Sequence, residues 1–139
     1  MKLHKLIVLA LILLFTGSVY SQVSVVVNKS VSETSIDKSE LAEIYQLKSK
    51  TWSDGKAIVV FVLKADNDDS NKFYDAIGQS SMKMKKLWMK KQLTGEGQAP
   101  EGLSSDSETI TKVSSTPGAI GYVNSSSVTD AVKVLMEIK

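Results

Sequence analysis

Two stretches concentrate chemically active side chains in this 139-residue sequence: Asp66-Asn67-Asp68-Asp69, and the five lysines between Lys83 and Lys91. The acidic run has the composition of a calcium loop. An EF-hand, however, needs Asp-x-Asp-x-Asp-Gly and a glutamate at position twelve. No glycine follows here, and the twelfth position counted from Asp66 is Ile77. The run therefore reads as a solvated loop capping a helix, and no metal site is expected. Acid–base or thiol chemistry at neutral pH calls for histidine or cysteine. The chain has no cysteine, and its one histidine, His4, lies in the leader described below. Nothing in the spacing supports a Ser–Lys pair. No catalytic residue, no enzymatic activity and no cofactor are expected.

The lysine stretch, Met82 to Lys91, interleaves three methionines and Trp88 with its charges. Two readings are open. One is a basic face for an acidic partner, an anionic lipid surface or an anion. The other is an amphipathic helix whose Met84, Leu87 and Trp88 face a sheet while the lysines are solvated.

The first residues form a leader. Lys2, His4 and Lys5 make a basic start, Leu6 to Phe15 is apolar, and Thr16 to Ser21 is small and polar, with Val19 and Ser21 at the cleavage positions. This predicts a signal peptide over 1–21, cleaved after about Ser21, and a periplasmic or secreted domain over 22–139. A spanning helix needs about 20 apolar residues, so no stable membrane insertion is expected. Of the 17 basic side chains, Lys2 and Lys5 lie in the leader, and the others balance the 15 carboxylates. Nucleic-acid binders carry a basic excess with arginine or aromatic readers. This chain has no arginine, and no nucleic-acid partner is expected.

The elements needed to position a site follow from pattern. Ser24 to Asn28 reads as a buried strand. Asp37 and Glu40 form a capping box opening a helix with Leu41, Ile44 and Tyr45 on one stripe. Asp54-Gly55 is a turn, and Ala57 to Leu63 is a strand covered on both faces. Ser70 to Ile77 reads as a helix stopped by Gly78, and Ser80 or Ser81 opens another to about Leu93. Gly95 to Pro100 reads as a turn. Ser105 and Glu108 cap a helix through Val113, Ala119 to Val123 is a strand, and the alternation of Val132, Val134, Met136 and Ile138 predicts a last one. Strands alternate with helices, so the class is α/β, with about four strands flanked by helices.

In an open α/β sheet, ligands bind at the carboxyl ends of the strands. The segments leaving those ends hold Asn28, Ser30 and Ser32, then Lys64, with Ser70 and Asn71 at a helix start whose free N–H groups suit an anion. These six are the candidate ligand-binding residues. Polar strand-to-helix loops occur in any such fold.

The stretches "IDKSELAEIYQLKSKTWSDGKAIVVFVL", "NKFYDAIGQSSMKMKKLWMKKQLTGEGQAP" and "SSTPGAIGYV" together resemble the small phosphate ABC-transporter substrate-binding-like proteins of bacterial envelopes. Those proteins are similar to one lobe of a type 2 periplasmic binding protein. The resemblance implies a single such lobe, a phosphate-like small anion as ligand, and a closing clamp completed by another chain, for instance in a homodimer. It also implies that Gly121 lies inside the sheet under a closely packed helix. In full-length binders the loop matching Lys64–Ser70 is rich in glycine, serine and threonine and carries an arginine. Here it has three carboxylates, no glycine and no arginine, so an approaching anion meets like charge. The alternative is an envelope protein-interaction module that keeps the fold without the pocket.

Overall fold

The computed structural model describes residues 22–139; the expected leader, 1–21, lies outside the described residues. Among the described residues, four α-helices and five strands follow in order: β1 (Val23–Val27), α1 (Lys38–Tyr45), β2 (Val59–Leu63), α2 (Asp68–Ala76), α3 (Ser81–Thr94), β3 (Glu101–Leu103), α4 (Asp106–Ser115), β4 (Ala119–Asn124) and β5 (Lys133–Ile138), with a short 3-10 helix, Ser125–Ser127, between the last two. The helices start where side chains can satisfy their free N–H groups. Asp37 accepts from Glu40 N (2.8 Å) while Glu40 accepts from Asp37 N (3.2 Å). Asn67, Ser80 and Ser105 cap the others. α2 thus begins two residues before the expected Ser70, because Asn67, rather than a serine, supplies the cap.

The sheet has five strands, not about four, in the order β3-β2-β4-β1-β5. β3 is the addition. It is three residues long, paired parallel to β2, and follows Pro100 where the sequence shows only a turn. β2 and β4 are parallel, but β1 runs antiparallel to both β4 and β5. β5 departs from simple alternation. Val25 faces Met136 and Val26 faces Val134, leaving Leu135 as a bulge residue. The bulge turns Leu135 and Ile138 into one core cluster while Val132 packs in the other.

Helices cover both faces. On one, Leu41, Tyr45, Phe73, Met84 and Trp88 pack on β1, β2, β4 and β5. Trp88 Nε1 donates to Tyr45 O (2.7 Å), fastening α3 to α1. On the other, Ile110 and Val113 of α4 pack on Val26, Phe61 and Val123. α4 crosses directly above Gly121, where an added Cβ would lie 3.0 Å from Thr109 Cγ2 and 3.3 Å from Val113 Cγ2. The bare backbone there is a packing requirement. No helix among the described residues is long and apolar enough to cross a membrane.

Candidate ligand site at the carboxyl ends of the parallel strands

β2 and β3 are parallel neighbours whose continuations part. β2 feeds α2 on one face of the sheet, and β3 feeds α4 on the other. Such a divergence opens a crevice at the strand ends. Its lips are Lys64–Asn67 and Ser104–Ser105, held together by the Lys64 N–H donating to Leu103 O (2.9 Å). Gly102 makes room for Lys64, since a Cβ there would sit 2.8 Å from Lys64 Cγ. The exposed Lys64 therefore lays its stem across β3 and leaves its ammonium at the rim.

Beneath the rim lies a buried polar cluster. Ser70 Oγ donates to Ala65 O (2.8 Å) and stands 3.4 Å from Tyr122 OH, which also accepts from Leu63 N (3.3 Å). Phe73 stacks on Tyr122 with ring centroids 4.0 Å apart. Burial pushes the phenols of Tyr74 and Tyr122 upward, and the Asp66 charge pushes the same way; for Tyr122, hydrogen bonds from Ser70 and Leu63 pull back in part. These hydroxyls stay neutral at physiological pH. Ser70, Tyr74 and Tyr122 are almost fully buried, and the hydrogen bonds of Ser70 and Tyr122 tie the Lys64–Asn67 loop to the core beneath it.

The charges around it are mostly negative. Asp68 and Asp69 occupy the first turn of α2, and Asp106 and Glu108 that of α4. Asn124 links them: its Nδ2 donates to both Asp69 carboxylate oxygens (3.3 Å each) and its N–H to Asp106 Oδ2 (3.1 Å). Ser127 Oγ donates to the same Asp106 oxygen (2.7 Å). The positive ends of both helices are thus already met by the chain's own carboxylates.

The six sequence-derived residues do not form one cluster. Lys64, Ser70 and Asn71 stand at this crevice. Asn28, Ser30 and Ser32 follow β1, whose antiparallel course pairs Val27 with Ile120 at the start of β4, so they lie at the opposite end of the sheet. There Asn28 is structural. Its Nδ2 donates to Val113 O (2.8 Å) and Ser114 O (3.0 Å), closing the end of α4, and its Oδ1 accepts from Ser30 N (2.8 Å). Ser30 Oγ accepts from Gly118 N (3.2 Å). Ser32 is exposed and bonds its neighbour Glu33. Ser104 and Ser105, exposed at the end of β3, are not among the six, and Tyr74 and Tyr122 are core side chains beneath the rim. The serines were legible only as a helix cap, since the strand before them is too short to show a pattern.

The fold is thus a five-stranded mixed sheet covered by helices on both faces, with the continuations of its neighbouring parallel strands β2 and β3 leaving on opposite sides. Residues 16–135 match the model of the PBP superfamily domain, and the chain belongs to that superfamily. Solved structures agree on the fold. An ABC-type phosphate transport receptor from Vibrio cholerae superposes with a TM-score of 0.66 at 18% identity, covering 84% of this chain and 46% of the receptor. A putative phosphate ABC transporter substrate-binding protein with bound phosphate, from Clostridium perfringens, gives 0.65 at 16%, covering 83% and 44%. PstS from Borrelia burgdorferi gives 0.62 at 17%, covering 83% and 46%. The chain spans less than half the length of these proteins. Comparison with curated protein sequences gives no match.

Proposed function

We propose that this chain is an exported, non-enzymatic solute-binding lobe that takes a small oxyanion of the phosphate type at the crevice between β2 and β3. Lys64 supplies the charge and the exposed Asn71 side-chain amide supplies hydrogen-bond donors, while Ser70, whose Oγ donates to Ala65 O, holds the loop that presents them. A second lobe closes over the ligand. The observation carrying this reading is the divergence of the adjacent parallel strands β2 and β3 into helices on opposite faces, in a fold shared with phosphate receptors. Isothermal titration of residues 22–139 with phosphate and with sulfate tests it. The expected result is a saturable heat that Lys64→Ala removes. No heat with either anion at millimolar concentration would refute it.

A second reading is an envelope interaction module with a lost pocket. It is favoured by the carboxylates of Asp69 and Asp106, which are bonded into the crevice wall where an anion would have to enter. On that reading the anions give no heat, and partners captured from envelope extract change when Lys85, Lys86, Lys90 and Lys91 become glutamate.

A further inference from the structure

α3 carries the largest departure from an ordinary solvated surface. Its inward side, Met84 and Trp88, is buried. Its outward side is not simply polar. Met82, Met89 and Leu93 are 67%, 64% and 82% exposed, and they are the large hydrophobic side chains that stand out most into solvent among the described residues. Their spacing, i, i+7 and i+11, puts them on one face at 3.6 residues per turn. Lys85 lies to one side of that stripe and Lys86 to the other, with Lys83 and Lys90 beyond Lys86. None of these four lysines pairs with a carboxylate among the described residues; Lys91 pairs with Glu96 at 3.5 Å. The helix contains no acidic residue. A shallow apolar groove of about 340 Å³ runs beside the stripe, floored by Trp88 and edged by Leu93 and Ala99.

We propose that α3 is a docking surface for an anionic lipid bilayer, lying along it with Met82, Met89 and Leu93 dipping among the headgroups and acyl chains and the lysines paired to lipid phosphates. The charge complementarity is local. The domain over 22–139 has balanced charge, so the four unpaired lysines form a patch rather than part of a general basicity. A bilayer suits this patch better than a protein partner. Protein hot spots are built from arginine, tryptophan and tyrosine, with lysine depleted. The chain has no arginine, and both tryptophans are buried, at 5% and 4% exposure. Lysine is a hydrated point charge on a flexible stem, so the lysines on either side of the stripe can reach lipid phosphates while the exposed apolar side chains enter the interface. The proposal does not depend on a solute in the crevice.

Flotation of residues 22–139 with vesicles of phosphatidylglycerol and phosphatidylcholine, against phosphatidylcholine alone, tests it. Binding is expected only to the anionic vesicles, and high salt, which shortens the screening length, should release it. Each lysine near an anionic leaflet contributes on the order of fivefold in affinity, so Lys85→Gln with Lys86→Gln should weaken binding by more than tenfold. Both sites are exposed, and an unchanged thermal melt confirms the fold. Because the chain lacks cysteine, Leu93→Cys carries a single polarity-sensitive dye. Its emission should shift to the blue on anionic vesicles, whereas a dye at Thr111→Cys, exposed on α4 across the sheet, should not respond. No flotation at low salt, equal binding by the lysine variant, or capture of an acidic amphipathic peptide without any lipid binding would each overturn the proposal.

Discussion

Replacing Gly121 with alanine puts a methyl group 3.0 Å from Thr109 Cγ2 and 3.3 Å from Val113 Cγ2, where carbon atoms prefer about 3.5–4.0 Å. Relief requires α4 to withdraw, and α4 is pinned at both ends. Asn28 holds its last turn through Val113 O and Ser114 O. Asp106 holds its first turn to Asn124 N and Ser127 Oγ. Thr109 itself is tied to Ser105 O at 3.0 Å. Overpacking a site that cannot relax costs about 2–3 kcal/mol. Against this stand a gain of about 0.5–1 kcal/mol from a stiffer unfolded chain and about 0.8 kcal/mol from burying a methyl group. The strain wins by about 1 kcal/mol, which corresponds to a fall of about 3–6 °C in melting temperature for a domain of this size. Urea and thermal unfolding followed by circular dichroism measure it. Thr109→Ser removes the clashing Cγ2 but keeps the hydroxyl. In the Gly121→Ala background it should therefore recover stability instead of adding a second loss, a non-additivity expected of residues in contact. If Gly121→Ala were as stable as the parent, or if the two losses simply added, packing under α4 would not be the reason for the glycine.

Gly118 is the harsher case: its φ is +77° and a Cβ would meet Ala57 O at 2.2 Å. Gly118→Ala should cost at least about 3 kcal/mol, from left-handed backbone strain plus the clash, read as a lower urea midpoint. Asn28→Ala strips the donors from Val113 O and Ser114 O and should cost about 2–3 kcal/mol while leaving any heat of phosphate binding unchanged; loss of that heat in a folded variant would return Asn28 to the ligand site. The three tyrosines of residues 22–139, Tyr45, Tyr74 and Tyr122, all have their phenols pushed up, mainly by burial. A raised folded value means that neutral phenols support the fold below the unfolded value of about 10, and that this support is lost as pH rises above it. Stability should then fall by about 4 kcal/mol per pH unit for three groups. Tyrosinate absorbance and loss of circular dichroism should rise together, and tyrosinate forming in the still-folded protein would contradict the burial.

What the chain alone determined is local. Asp37 with Glu40, Ser80 and Ser105 announce helix starts because a cap and its partner sit within one turn, and the covalent chain already holds them close. The runs Ser24 to Asn28, Ala57 to Leu63 and Ala119 to Val123 announce strands, within two residues of the observed bounds, because burial on both faces demands mostly apolar side chains. The resemblance carried by the Trp52-x-Asp-Gly turn and the Pro-Gly-Ala-Ile-Gly-Tyr-Val strand pointed to the superfamily. The tertiary structure alone decided which way β1 runs. A strand has the same propensities in either direction, and the choice was made by pairing with β4, which lies almost a hundred residues away. That choice sends Asn28, Ser30 and Ser32 to the far end of the sheet and leaves Lys64, Ser70 and Asn71 at the crevice. The same holds for β3, for the bulge at Leu135 and for the lips at Ser104 and Ser105. Each is three residues or fewer, too short for periodicity to register; β3 exists because β2 supplies its hydrogen bonds, and the bulge exists because the register with β1 shifts between Val25 and Val26.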